Sequence, residues 1–324
     1  MFEVIGQKSA LSVRTALVLP TLNAGPDFVH WLASLRGQDY QPDHLLLVDS
    51  SSTDQTVELA RDFGFEITTI AQQEFSHGGT RQSCIERLAD ADTVIFLTQD
   101  AVLASSQALS RLVRWFDDPK VGAVYGRQLP RPGAEAIEAH ARLFNYPETP
   151  GVRTADDIPR LGLKTSFISN SFAAWRRQAL IDVGGFPTHT IQNEDTHAAS
   201  RMILAGWKIA YAAEACVYHS HPFTWRQEFR RYFDIGVFHG RDPWIRQNFG
   251  KAGGEGLRFV SSELKYLRQH RISAIPSAML RTALKLLGYK IGNHERWLPL
   301  WTKRLLSANR RYWVNAEAQE SGRS

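Results

Sequence analysis

The chain has 324 residues, 43% of them hydrophobic and 22% charged, with a formal net charge of +5. Such values exclude a disordered chain, and the length supports a sizeable core in one large or two smaller domains. The two cysteines, Cys84 and Cys216, lie far apart with no C-x-x-C spacing, which excludes a disulfide framework and a thiolate zinc site and fits a reducing compartment.

At the start of the chain Lys8 and Arg14 precede a short apolar stretch that ends at Pro20 without a small-residue cleavage site. No signal peptide is expected, and since no apolar run approaches the ~18 residues that span a bilayer, the chain reads as cytoplasmic. Strands are predicted at 14–20, 44–49, 65–70, 93–98 and 121–127, alternating with helices at 27–38, 54–63, 79–89 and 106–116. This alternation predicts an α/β fold with βαβ crossovers and a mostly parallel sheet. Residues 131–164, rich in Pro and Gly, read as a loop-rich connection or lid. An extended stretch at 167–175, a helix at 176–183 and a turn at 184–187 follow. A helix at 193–205 is capped by Asn193, with Glu194 and Asp195 in its first turn. Extended stretches at 208–213 and 216–219 lead into a region that is helical to the end.

From Lys251 onward there are about 14 Lys/Arg against 5 Asp/Glu, interleaved with Trp297, Trp301, Leu305, Tyr312 and Trp313. That mixture suits the headgroup region of an anionic membrane, and equally a helical subdomain with a solvated basic face. No nucleic-acid motif is present, so nucleic acid is not an expected partner. In parallel sheets, ligands bind beyond the carboxyl ends of the strands. Polar residues gather at three of those ends: Thr21 and Asn23, the run from Asp49 to Asp54, and Gln99 with Asp100. Each group alone also reads as ordinary turn and helix-cap chemistry.

Taken in order, P-T-L-N at Pro20 to Asn23, V-D-S-S-S-T-D at Val48 to Asp54, T-Q-D at Thr98 to Asp100, G-G-F at Gly184 to Phe186 and E-D at Glu194-Asp195 form one pattern. It resembles family 2 glycosyltransferases of the inverting GT-A class over about residues 12–240. With F-S-H-G-G-T-R at Phe75 to Arg81, Y-H-S-H at Tyr218 to His221 and R-R-Y-F-D-I-G at Arg230 to Gly236, it is most similar to bacterial rhamnosyltransferases of O-antigen and polysaccharide assembly.

The resemblance implies a Rossmann-like GT-A domain at 1–240; the charge and aromatic pattern adds a helical, basic, aromatic-rich region at 241–324 as a candidate membrane-surface or acceptor-binding subdomain. The resemblance also implies Mg²⁺ or Mn²⁺ at Asp100, the last carboxylate of the family's D-x-D motif; Thr98 stands at the first, so the ion is expected to be weakly held. His219 or His221 joins Asp100. Alternation along an extended segment puts them on opposite sides, so at most one faces the site, with His221 the first choice. Pro20, Thr21, Asn23, Asp49, Ser51 and Gln99 are assigned to the donor nucleotide. Ser50 replaces the second acid of the family's V-D-D pattern, so base recognition is expected to differ. His77 and Gly78 would form a turn that brings backbone close to the donor, while Arg81 offers its guanidinium to a phosphate or base; the alternative is a glycine-containing helix start with a surface arginine. Asp195 is assigned as the base that takes the acceptor proton, with Glu194 as alternative or orienting neighbour. Arg230 and Arg231 lie near the diphosphate or on the surface; Trp175, Phe186, Trp207, Phe223 and Trp225 stack on sugar or fill the core.

The expected activity is therefore inverting transfer of a sugar, L-rhamnose from dTDP-L-rhamnose by resemblance, to a hydroxyl of a glycan or lipid-linked saccharide. A cytoplasmic enzyme, peripheral on the inner membrane face, would do this. The rivals are a family 2 transferase using a UDP-sugar (galactofuranose, glucose or N-acetylglucosamine) and a non-catalytic nucleotide-sugar-binding or scaffold protein. A nucleotidyltransferase is disfavoured because T-L-N-A-G at Thr21 to Gly25 lacks the needed basic glycine-rich loop.

Overall fold

The computed structural model describes residues 14–250 and 254–314; Lys8 and Lys251, which enter the leader and charge readings, lie outside the described residues. Among the described residues, nine strands form one sheet: β1 (Thr15–Thr21), β2 (His44–Asp49), β3 (Glu66–Thr69), β4 (Thr93–Leu97), β5 (Val102–Leu103), β6 (Val121–Leu129), β7 (Gly151–Arg153), β8 (Phe172–Arg176) and β9 (Lys208–Tyr218). The main path runs β3-β2-β1-β4-β8-β6-β9-β5, with β7 added on β9. Contacts from β3 through β4 and between β6 and β9 are parallel. The sheet is mixed, because β8 enters antiparallel to both β4 and β6. The two extended stretches expected at 208–213 and 216–219 are one strand, β9. Its pairing with β6 jumps from Ala212 to Cys216, so the apparent gap is an irregularity within a continuous strand.

The apolar runs become central strands because both sheet faces are covered. In β1, Ala16 and Val18 enter one core, and Leu17 and Leu19 the opposite one with Phe28 and Trp31. Helices α1 (Phe28–Arg36), α2 (Thr56–Phe63), α3 (His77–Arg87) and α4 (Ala108–Val113) follow the first strands. The region read as a loop or lid contains α5 (Ala136–Asn145) and the single turn α6 (Ile158–Leu161), then α7 (Arg177–Asp182) and α8 (Glu194–Leu204) follow. The C-terminal region holds α9 (Trp225–Arg241), α10 (Pro243–Phe249), α11 (Glu255–His270), α12 (Ile275–Asn293) and α13 (Leu300–Leu306). No helix among the described residues is long and apolar enough to cross a membrane.

The boundary expected between 240 and 241 falls in the last turn of α9, and residues on both sides of it share one core. Phe233, Val237, Ile245, Phe249 and Trp313 pack into the cluster that also holds Val18 and Phe96. α9 and α12 touch main chain to main chain: a Cβ on Gly236 would sit 2.2 Å from the Tyr289 carbonyl oxygen, and one on Gly292 would sit 2.0 Å from that of Phe233. Gly292→Ala is therefore expected to destabilise the fold by about 3 kcal/mol, read as a lowered urea midpoint, because neither helix backbone can yield locally. An unchanged midpoint would show that the helices part without cost.

Candidate active site

Among the described residues, three non-glycine positions have positive φ: Asn23 at 47°, Ser51 at 62° and Asn193 at 62°. Asn23 and Ser51 lie in segments singled out by the motifs and Asn193 directly precedes the Glu194-Asp195 pair, and such conformations persist only where surrounding contacts enforce them. After β1, the Asn23 side-chain oxygen accepts from Thr53 N (2.8 Å), joining this loop to the one after β2. Thr21 Oγ1 donates to Asp49 Oδ1 (3.0 Å), and Ser52 N donates to Asp49 Oδ2 (2.7 Å). Asp49 is 1% exposed, so both its oxygens shape the loop from within. Ser51 is likewise engaged, its hydroxyl donating to Ile70 O (2.8 Å). Gln99 clamps the β1 loop from the side: its Oε1 accepts from Leu22 N (2.8 Å) and its Nε2 donates to Leu22 O (3.1 Å). Pro20, half-buried, precedes this cluster in β1.

The expected turn at His77 and Gly78 is instead the first turn of α3, capped by the Ser76 hydroxyl, which accepts from Gly79 N (3.1 Å). Gly78 is required by packing rather than by a tight turn, since a Cβ there would lie 1.8 Å from Pro187 O. Arg81, one turn on, is 5% exposed, and its Nη1 donates to Glu194 Oε1 (2.8 Å) and His77 O (3.2 Å). Its guanidinium is thus committed to a buried ion pair linking α3 to the start of α8. Burial lowers the His77 pKa, and the nearby Glu194 charge opposes that shift.

Asn193 leads into α8 in a left-handed conformation and makes no side-chain cap, contrary to the capping expected for it. Glu194 points inward. Burial alone would raise its carboxyl, but the Arg81 guanidinium, then His77 and the Asn170 amide, hold it below the usual glutamate value. Asp195 differs: burial, then the Glu194 charge, pushes its carboxyl up to about 7 against two backbone donors, Asn170 N (3.1 Å) and Thr196 N (2.6 Å). Asn170 was not legible as a site residue. Its backbone holds Asp195, its Nδ2 donates to Glu194 Oε1 (3.1 Å), and its Oδ1 accepts from Trp175 Nε1 (2.8 Å). A buried polar side chain bridging both acids has no local sequence signal.

Beyond β4, the Asp100 Oδ2 lies 3.4 Å from His219 Nε2 and 3.0 Å from His221 Nε2, and the two imidazole nitrogens are 3.2 Å apart. The expectation that only one histidine faces the site is corrected. β9 ends at Tyr218, so the alternation of an extended strand no longer governs His219 to His221. Edges of 3.0–3.4 Å are the spacing of adjacent donors around one cation bound at roughly 2.0–2.3 Å, and one carboxylate with two imidazoles suits Mn²⁺ well. These residues therefore fit a divalent cation. Burial lowers the His219 pKa, keeping it neutral as a ligand must be. Arg131, also unforeseen, donates from Nη2 to Asp100 O (2.7 Å) and fixes this turn.

A cleft of about 1110 Å³ brings together His77, Arg81, Thr98, Asp100, Glu194, Asp195, His219 and His221. Pro20, Thr21, Asn23, Asp49 and Ser51 do not line it; they form the adjoining loop cluster held by Gln99. The far wall comes from α5, α9 and α12, where Arg142, Arg231, Arg281 and Lys285 face the opening. Arg231 stacks over Phe223 with its guanidinium carbon 4.4 Å from the ring centre, whereas Arg230 turns away to the Leu305 carbonyl. Trp175 and Phe186 are core residues at 0% and 2% exposure, which removes them as sugar platforms.

A flanked mixed sheet with a carboxylate base candidate and an Asp-His-His group beyond its strand ends has the architecture of a GT-A enzyme. The sequence model of glycosyl transferase family 2 matches residues 16–184, and the chain belongs to that family; it is a glycosyltransferase. It is 48% identical over 310 residues to an O-antigen chain rhamnosyltransferase of Salmonella typhimurium, covering 95% of this chain and 99% of the relative. A second O-antigen chain rhamnosyltransferase, from Salmonella anatum, is 48% identical over 94% of this chain and 97% of that protein. Among solved structures, the Pyrobaculum calidifontis mannosyltransferase in complex with GDP-Man and Mn²⁺ matches with a TM-score of 0.54 at 22% identity, over 94% of this chain and 86% of that one. The last likeness concerns the fold.

Proposed function

We propose that this glycosyltransferase moves L-rhamnose from dTDP-L-rhamnose, with inversion, to a hydroxyl of a lipid-linked saccharide in cell-surface polysaccharide assembly. The sugar and pathway rest on nearly full-length similarity to two O-antigen chain rhamnosyltransferases. The observation that carries the mechanism is Asp195, a cleft carboxylate whose pKa is raised to about 7, matched to taking a proton near neutrality. In a single displacement the acceptor oxygen forms its bond to the anomeric carbon as the bond to the diphosphate breaks. The acceptor proton passes to an Asp195 oxygen, and dTDP leaves. Glu194, ionised against Arg81, keeps Asp195 from becoming too weak a base, while Asn170 aims it. Asp100, His219 and His221 would hold Mg²⁺ or Mn²⁺, which supplies charge neutralisation for the departing diphosphate.

The test is nucleoside diphosphate release from purified chain, lipid-linked saccharide acceptor and a donor panel of dTDP-rhamnose, UDP-glucose, UDP-galactofuranose and UDP-N-acetylglucosamine. Selective use of dTDP-rhamnose is expected; selective use of a UDP-sugar would overturn the sugar assignment and keep the fold. Because the base works deprotonated and its pKa is raised to about 7, kcat/KM should fall tenfold per pH unit below about pH 7. A profile flat down to pH 5 would remove Asp195 from that role.

The same reading places the enzyme on an anionic membrane surface. Trp297 and Trp301 are 76% and 68% exposed, and Leu305 is 48% exposed, beside the basic Arg296 and Arg310. Interfacial tryptophans with nearby cations give reversible attachment. Replacing both tryptophans by Ser is expected to weaken flotation with phosphatidylglycerol vesicles about tenfold while leaving turnover of a water-soluble acceptor intact; equal flotation would count against the membrane reading.

A further inference from the structure

We infer that Gln128 is a positioning residue for the cation site: it fixes His219 as the tautomer protonated on Nδ1 and so bares the Nε2 lone pair toward Asp100 and His221. The inference rests on the metal reading of that group. Gln128 lies in β6, is 2% exposed, and its Oε1 sits 2.9 Å from His219 Nδ1. Which end of the amide faces the histidine follows from a third residue. Arg142 Nη1 lies 2.6 Å from the same Oε1, and an arginine only donates, so that atom must be the carbonyl oxygen. The amide nitrogen at the other end donates to Ser169 Oγ (3.0 Å), which closes the assignment. An oxygen held in this way only accepts. The proton therefore lies on His219 Nδ1, and Nε2 carries a lone pair 3.4 Å from the acceptor-only Asp100 Oδ2.

Two lone pairs converging in a partly buried site repel unless a cation, or a proton on His221 Nε2, lies between them. The chain of Arg142, Gln128 and His219 thus arranges the third ligand before any ion arrives, as partners behind metal-bound histidines do. A comparison inside the same molecule makes the point. His189, His197 and Asp242 also gather potential ligand atoms within 4.8 Å, with His197 Nε2 3.3 Å from Asp242 Oδ1. There the other ring nitrogen, His197 Nδ1, is buried without a hydrogen-bond partner. A cation on Nε2 would strand a buried N–H, so that group lacks what Gln128 supplies at the cleft.

The test titrates EDTA-treated full-length chain with Mn²⁺ and follows free Mn²⁺ by electron paramagnetic resonance. Gln128→Leu is expected to weaken Mn²⁺ binding about 10–100-fold, while Gln128→Glu, which keeps an acceptor for both His219 and Arg142, stays within about threefold of the parent. Melting in EDTA checks that each variant is folded. Should the Leu variant not fold, two-bond ¹⁵N–¹H spectra of the metal-free parent decide the matter: a proton on His219 Nδ1 supports the inference and one on Nε2 overturns it. Equal Mn²⁺ affinity in parent and Leu variant, or equal weakening by Leu and Glu, also overturns it with the metal reading intact. Failure of the parent to bind Mn²⁺ overturns the metal reading itself.

Discussion

Asp195→Asn is expected to lower the rate of sugar transfer by about 10²–10⁴-fold, the span that a positioned general base contributes. The asparagine keeps size and polarity but cannot take the acceptor proton. Binding of dTDP, measured by calorimetry, should change little, because the Asp195 oxygens meet Asn170 N and Thr196 N rather than residues of the β1 and β2 loops. A stability signature accompanies the loss. The folded-state pKa of Asp195 is raised from 3.8 to about 7, so whatever stability this group contributes is present in acid and lost as pH rises through that window. The melting temperature of the variant relative to the parent should therefore shift in the variant's favour between pH 4 and pH 8. A variant retaining more than about a tenth of parental turnover would exclude Asp195 as the base.

Asp100→Asn should reduce transfer by about 10²–10³-fold and abolish stimulation by Mn²⁺, since stabilising a charged leaving group through one fixed centre is worth several kcal/mol. The size of the effect follows from Thr98. With no second acid at that position, Asp100 is the one carboxylate of a group whose other members are the imidazoles of His219 and His221. Removing one imidazole, as in His221→Ala, leaves the charge in place and should cost less, about tenfold. EDTA treatment of the parent should reproduce the Asp100 phenotype. An EDTA-treated parent working at full rate would show that the diphosphate departs without a cation, and the grouping of Asp100 with two histidines would then need another explanation.

The strand-helix alternation was legible because β1, β2 and β4 are continuous apolar runs bounded by polar turns. The direction of β8 was not, since a five-residue apolar strand carries the same pattern whether it runs parallel or antiparallel. α5 was hidden by the prolines and glycines on either side of it, which dominate composition across 131–164 although they occupy only its flanks. In the site, Asp100, Glu194 and Asp195 stood out through motif order. The pairings that set their properties did not: Arg81 was singled out for the donor, yet it reaches Glu194 across 113 positions, and Asn170 acts partly through its backbone N–H. His219 and His221 misled for a narrower reason, in that the alternation rule was carried past the last residue of β9.

The close backbone approach of α9 and α12 also bears on how this cleft can evolve or be redesigned. With Gly236, Gly288 and Gly292 at the contact, main chain meets main chain behind the C-terminal half of α12, so there is little there for the helix to sink into. The width of the opening is a main-chain dimension. Enlarging or narrowing the range of molecules that enter has to come from exchanging side chains on the wall itself, as tilting the helix would require the glycine contacts to be rebuilt together.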